Sequence, residues 1–204
     1  MTAIKIRALG GPSQRKSEPL FLEVLTRSLI ILCAALAIML SSAAVCDGHW
    51  LLSGDRMYGL WNLCVLRADR AAAASLNCTT NSVGFGTEGL GLGLAFCRSV
   101  VSLAVVAAIF GLEMLLVSQA SEGSGSSQRW SLGSALLLLA AGLASAGVVS
   151  FVFTLGVHAS PLGFTLTFWC QFAATFLFFL NGLAARHYQN LKAPLMPSGN
   201  PGKV

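Results

Sequence analysis

Charge is what this sequence has least of: 10% of its 204 residues are charged, with 13 Lys and Arg against 8 Asp and Glu. A soluble domain carries roughly 25%. So few ionisable groups cannot clothe a water-facing surface, and with a mean hydropathy of +0.72 the expected solvent is a bilayer. The scarcity also removes chemistries. Among 3 His and 8 acids no paired carboxylates, no Ser/His/Asp set and no His/Cys cluster at metal spacing stands out, so neither an enzyme nor a cofactor, metal or small-molecule substrate is expected. The net charge of +5 is not a nucleic-acid signal either. Lys5, Arg7, Arg15, Lys16 and Arg27 sit ahead of an apolar run, where basic residues set membrane topology and meet lipid headgroups. Every proline except Pro161 falls in the tails 1–19 and 187–204, which read as disordered.

What is present is apolar length. Residues 28–45 contain no charge and are just long enough for a hydrocarbon core about 30 Å thick. A cleaved secretory signal is the alternative, since Ser42 and Ala44 suit a peptidase site, but the polar leader is longer than such signals carry. Further spans are expected at 98–118, 130–157 and 161–185, giving one four-span domain over 28–185 between tails 1–27 and 186–204. A long polar loop, 46–97, a Ser/Gly linker, 120–129, and a short turn, 158–161, connect them. Lys and Arg are more numerous on the side of the tails and linker than in the long loop, so both termini are expected in the cytoplasm of a multi-pass, plasma-membrane protein. The long loop then faces the oxidising exterior.

That loop holds Trp50, the triplet Gly59-Leu60-Trp61, Cys64 and Cys78 in order, and Arg98 opens the following span. The order resembles the signature shared by claudins, peripheral myelin proteins and the gamma subunits of voltage-gated calcium channels. The flanking text CDGHWLL from Cys46, SLAVVAAIFGLE from Ser102 and GFTLTFWCQF from Gly163 looks like the gamma-like branch of that superfamily, over about 28–181. The resemblance implies an all-α membrane protein with a small extracellular β-sheet on a left-handed, claudin-like four-helix bundle. It implies a Cys64–Cys78 disulfide, with Trp50, Gly59, Leu60 and Trp61 pinning sheet to bundle and Arg98 fastening the base of the sheet. Two departures are the short interval from Trp50 to Trp61 and the alanines 71–74 between the cysteines.

A loop of about 50 residues cannot bury enough apolar surface to stand alone, so a cross-link and aromatic anchors are expected supplements. Closing a ring of about 15 residues is worth roughly 3 kcal/mol. Trp50 and Trp61 suit an interface where the rings are buried and the N–H stays wet. Two free thiols and two ordinary tryptophans are the plain alternative, and for Arg98 it is an arginine snorkelling from a span end. Cys33, Cys46, Cys97 and Cys170 read as packing residues.

Asn77-Cys78-Thr79 is a glycosylation sequon whose middle residue is the expected disulfide partner, so early oxidation would obstruct the acceptor. The run GFGTEG at 84–89 matches a dinucleotide fingerprint only as letters, lacking a strand-turn-helix context; with Gly91 and Gly93 it reads as a flexible hinge. Glu113 is the one acid inside a span. It either contacts a partner helix or snorkels to the nearby cytoplasm. Gln171 and Asn181 are candidates for interhelical hydrogen bonds, and Gly142, Ala146, Gly147 and Ser150 for a close-packing face. Phe164, Phe168, Phe172 and Phe176 recur every four residues and read as one face of the last helix.

With no arginine-repeat voltage sensor and no filter-like loop, the chain should not sense voltage or conduct alone. The resemblance implies an auxiliary subunit binding the pore-forming subunit of a voltage-gated calcium channel and stabilising its inactivated or closed state. The alternatives are claudin-like adhesion or barrier formation, disfavoured by the short turn at 158–161, and a bundle that aids trafficking of other proteins.

Overall fold

The computed structural model describes residues 17–47, 49–67, 75–80, 88–121, 125–155 and 163–192. Readings that fall on 1–16, 71–74, 84–87, 158–161 and 193–204 lie outside these residues.

Four helices dominate: α1 (Ser17–Asp47), α2 (Glu88–Ala120), α3 (Ser126–Leu155) and α4 (Leu166–Lys192), each long and apolar enough to cross a membrane. α1 and α2 overrun at both ends the spans expected from hydropathy, α3 at its start and α4 at its end, whereas 163–165, expected inside the fourth span, are not α-helical because that segment lies against the sheet. Such a window marks hydrocarbon, whereas a helix continues through the headgroup layer until something stops it. Thus α1 begins at Ser17, with Pro19 in its first turn where a missing N–H costs nothing. The expected disorder of 17–19 and 187–192 is corrected to helix, as are linker residues 126–129.

The expected hinge at Gly91 and Gly93 is likewise helix, since α2 starts ten residues before Arg98. Proximity explains Gly93: a Cβ there would lie 2.7 Å from Thr154 Oγ1 of α3.

Neighbouring helices pack in a closed ring, α1 on α2, α2 on α3, α3 on α4 and α4 on α1. Much of the interior between the helices is small, with Ala34, Ala37, Ala104, Ala108, Ala140, Ala144 and Ala174 buried beside a few large side chains such as Leu115, Leu137 and Phe178, while Leu36, Phe110 and Phe153 face outward. That inversion suits a bilayer, where lipid tails are as apolar as leucine and helices associate through close approach. The tightest seams are at glycine. A Cβ on Gly133 would come within 2.9 Å of Gly111 O, and one on Gly147 within 2.3 Å of Val101 Cγ2. Of the four small residues expected on one packing face, Gly147 is buried, whereas Gly142 and Ala146 are exposed.

Strands β1 (Leu51–Ser53), β2 (Arg56–Tyr58), β3 (Asn62–Arg67) and β4 (Ser75–Thr80) form an antiparallel meander in that order. Ser53 pairs with Arg56 across a two-residue turn led by Gly54 at φ 57°, a conformation glycine adopts without a steric penalty. The chain is a claudin-like four-helix bundle with a small antiparallel sheet at one end. The bundle thus has a sheet end, carrying β1–β4, and an opposite, terminal end.

Candidate functional site: the sheet-bundle junction

Trp50 stands immediately before β1 and is fully buried. Its ring meets Phe151 of α3 edge-on at 4.9 Å and Phe168 of α4 at 5.9 Å, and its Nε1 donates to Ala44 O near the end of α1 at 3.0 Å. One indole therefore touches three helices. Leu51, Tyr58, Leu60, Leu94, Val101 and Leu155 complete this apolar plug. The backbone closes it from the other side: Trp50 N donates to Tyr58 O, Thr165 N donates to Trp50 O, and Leu51 bridges Phe164. The segment leading into α4 thus lies along the free edge of β1, and the approach is so close that a Cβ on Gly163 would fall 2.3 Å from Leu52 O.

The triplet divides its work. Gly59 N donates to Asn62 O across a tight turn, Leu60 points into the plug at 1% exposure, and Trp61 turns outward at 39%. Its Nε1 donates to Val45 O at 2.8 Å, and the Arg98 guanidinium lies 4.7 Å from the ring centroid. Arg98 therefore stacks on the tryptophan that leans on α1, so loop, α1 and α2 meet there. Beside it opens a notch of about 340 Å³ lined by Val45, Cys46, Asp47, Trp61 and Asn62. Asp47, ending α1, accepts from Thr167 Oγ1 at 2.7 Å and lies 3.5 Å from His49 Nδ1; Thr165 Oγ1 donates to His49 O.

Cys64 and Cys78 face each other in register on β3 and β4 and are joined as a disulfide. Asn77 pairs with Val65 on the edge strand beside it. Of the free cysteines, Cys97 is buried and its Sγ donates to Gly147 O at 3.0 Å, whereas Cys46 is exposed.

Glu113 is exposed on α2, seven residues before its end, among outward-facing Ile109, Phe110, Leu116 and Val117. Deeper in the bundle, Ser41 Oγ of α1 donates to Gln171 Oε1 of α4 at 3.0 Å, whereas Gln171 Nε2 and Asn181 Nδ2 are buried without a hydrogen-bond partner among the described residues. The phenylalanine stripe is corrected: Phe168 is buried, but Phe172 and Phe176 are exposed. At 100° per residue, a spacing of four advances about 40° each time, so the row winds from the interior to the lipid side.

One cluster escaped the sequence reading. At the terminal end the Arg27 guanidinium of α1 sits 5.1 Å from the Trp130 ring of α3 and 5.3 Å from the Tyr188 ring of α4, with Glu23 Oε1 3.5 Å away. Trp130 Nε1 also donates to Ala185 O at 2.8 Å. The residues are individually ordinary for a membrane interface, and their only joint signal is that all fall near span ends on one side.

Two junctions thus clamp the helices, an aromatic plug under the sheet and an arginine clasp opposite. Comparison with known proteins places this architecture. Residues 10–193 match the model of the Voltage-dependent calcium channel gamma-like subunit protein family. The human protein named Voltage-dependent calcium channel gamma-like subunit is 43% identical over 194 residues, covering 95% of this chain and 99% of that relative. The chain belongs to the voltage-dependent calcium channel gamma-like subunit protein family.

Proposed function

We propose that the chain is an auxiliary subunit that binds the pore-forming subunit of a voltage-gated calcium channel within the plasma membrane and favours its inactivated or closed state. Both termini are cytoplasmic and the sheet is extracellular, in keeping with the basic residues on the terminal side. The observation that carries a partner within the membrane is Glu113. A carboxylate on the outer face of α2, amid Phe110, Leu116 and Val117, is costly against lipid and is relieved by a hydrogen-bond donor on a neighbouring protein helix. The clamped bundle suits such a role, because a rigid face can discriminate between two arrangements of its partner. Modulation requires that discrimination, as equal affinity for both channel states would shift nothing.

The test is co-expression with a pore-forming subunit, recording current density and the voltage of half-inactivation at matched surface expression. A hyperpolarising shift that Glu113→Gln weakens and Glu113→Leu removes is expected. Unchanged gating across several channel types would sink the reading, and raised transepithelial resistance in claudin-null cells would replace it with barrier formation.

A further inference from the structure

Midway along the seam between α3 and α4 the bundle does not close. A pit of about 550 Å³ opens sideways there, with Gly142 and Ser145 on one bank and Phe172, Thr175, Phe176 and Phe179 on the other. A Cβ on Gly142 would meet nothing within 4 Å. The seam is shut on either side: toward the terminal end Leu138 lies within 2.7 Å of where a Gly182 Cβ would sit, and toward the sheet end the Phe151 and Phe168 rings are 6.3 Å apart.

Both hydroxyls in the pit are already engaged. Ser145 Oγ donates to Ala141 O at 2.7 Å and Thr175 Oγ1 to Gln171 O at 2.8 Å, so an occupant needs no polar group and hydrocarbon fits. The α4 bank continues outward at a spacing of seven, which is nearly two helical turns, so Phe172, Phe179 and Arg186 share one stripe. Arg186 is exposed and makes no ion pair among the described residues. It stands ten residues from Phe176, a rise of about 15 Å. That is about half of a hydrocarbon core roughly 30 Å thick. With the Arg186 backbone at the hydrocarbon edge and its side chain extended to the phosphate level, the pit lies near the bilayer midplane, where the acyl chain of a lipid ends.

We propose that this stripe binds one phospholipid of the leaflet on the terminal side, with an acyl-chain end in the pit at Gly142 and the phosphate on Arg186. A partner helix suits the site less well. Helix seats place small residues at the contact so that backbones approach, and here Phe172, Phe176 and Phe179, each about half exposed, occupy most of one bank. The assignment is independent of any channel partner.

The test uses the full chain in phosphatidylcholine vesicles containing a phosphatidylcholine with a diazirine at the end of one acyl chain. Irradiation should label α3 and α4 around Gly142 and Thr175. Gly142→Leu, which fills the pit, should cut that labelling by about tenfold, equivalent to about 1.4 kcal/mol of lost occupancy. Arg186→Gln should lower it and Arg186→Lys should largely restore it. Ser145→Phe provides a second filling variant should Gly142→Leu not reach the membrane, and an unchanged unfolding temperature certifies each fold. Label spread evenly over the outward faces of α1 and α2, or filling variants that label like wild type, would overturn the assignment. So would a photoreactive side chain at Phe176 that captures a channel helix in co-expressing cells while the lipid label there disappears.

Discussion

Trp50 and Phe151 meet edge-on, with ring centroids 4.9 Å apart and planes at 61°, and this contact locks the start of the sheet to the end of α3. The indole also bonds to α1 and touches α4. Trp50→Ala should therefore destabilise the bundle by about 3–5 kcal/mol, the cost of a large buried aromatic. Trp50→Phe keeps part of the packing, loses the bond to Ala44 O, and orphans that carbonyl at about 1–3 kcal/mol. Thermal unfolding in detergent should rank them wild type, Phe, Ala; equal melting temperatures would refute the anchor.

Glycine positions should separate sharply. Gly163→Ala forces a Cβ against a backbone carbonyl with no rotamer to relieve it, and a loss of about 1–3 kcal/mol is expected, as for other overpacked sites. Gly142→Ala enters open space and gains helix propensity, so it should be neutral or stabilising by up to about 1 kcal/mol. Unfolding midpoints of the two variants, measured side by side, check the difference.

The clasp at the terminal end makes Arg27 more than a charge. Its planar guanidinium lies near two rings at once, a geometry that lysine does not reproduce. A double-mutant cycle between Arg27→Lys and Trp130→Leu should show a coupling of about 0.5–2 kcal/mol. Strict additivity would mean that the stacking contributes nothing.

The sequon and the disulfide compete for one strand. Asn77 adjoins Cys78, which is bonded to Cys64, so pairing of the strands is expected to obstruct the acceptor. Cys64→Ser should raise occupancy at Asn77, read as a glycosidase-sensitive gel shift abolished by Asn77→Gln. It should also remove about 3 kcal/mol of ring-closure stabilisation. Identical occupancy in both backgrounds would show that oxidation follows glycan transfer.

The sequence by itself determined the solvent and the count of spans, because a bilayer demands apolar length and that signal is local. It also marked Trp50, Trp61, Cys64 and Cys78, whose residue types are informative wherever an exposed loop must be held. Helix ends were less legible, since hydropathy reports lipid rather than backbone geometry. Only the tertiary structure decided which small residues face another helix: Gly147 closes on Val101 while Gly142, five residues earlier, faces open space. Only the tertiary structure brought Arg27 to Tyr188 across 161 residues, or aimed Trp50 inward and Trp61 outward from one short loop. Side-chain identity limits what a residue can do, but its partner is set by how the helices rotate against one another, and that depends on every contact along their seams at once.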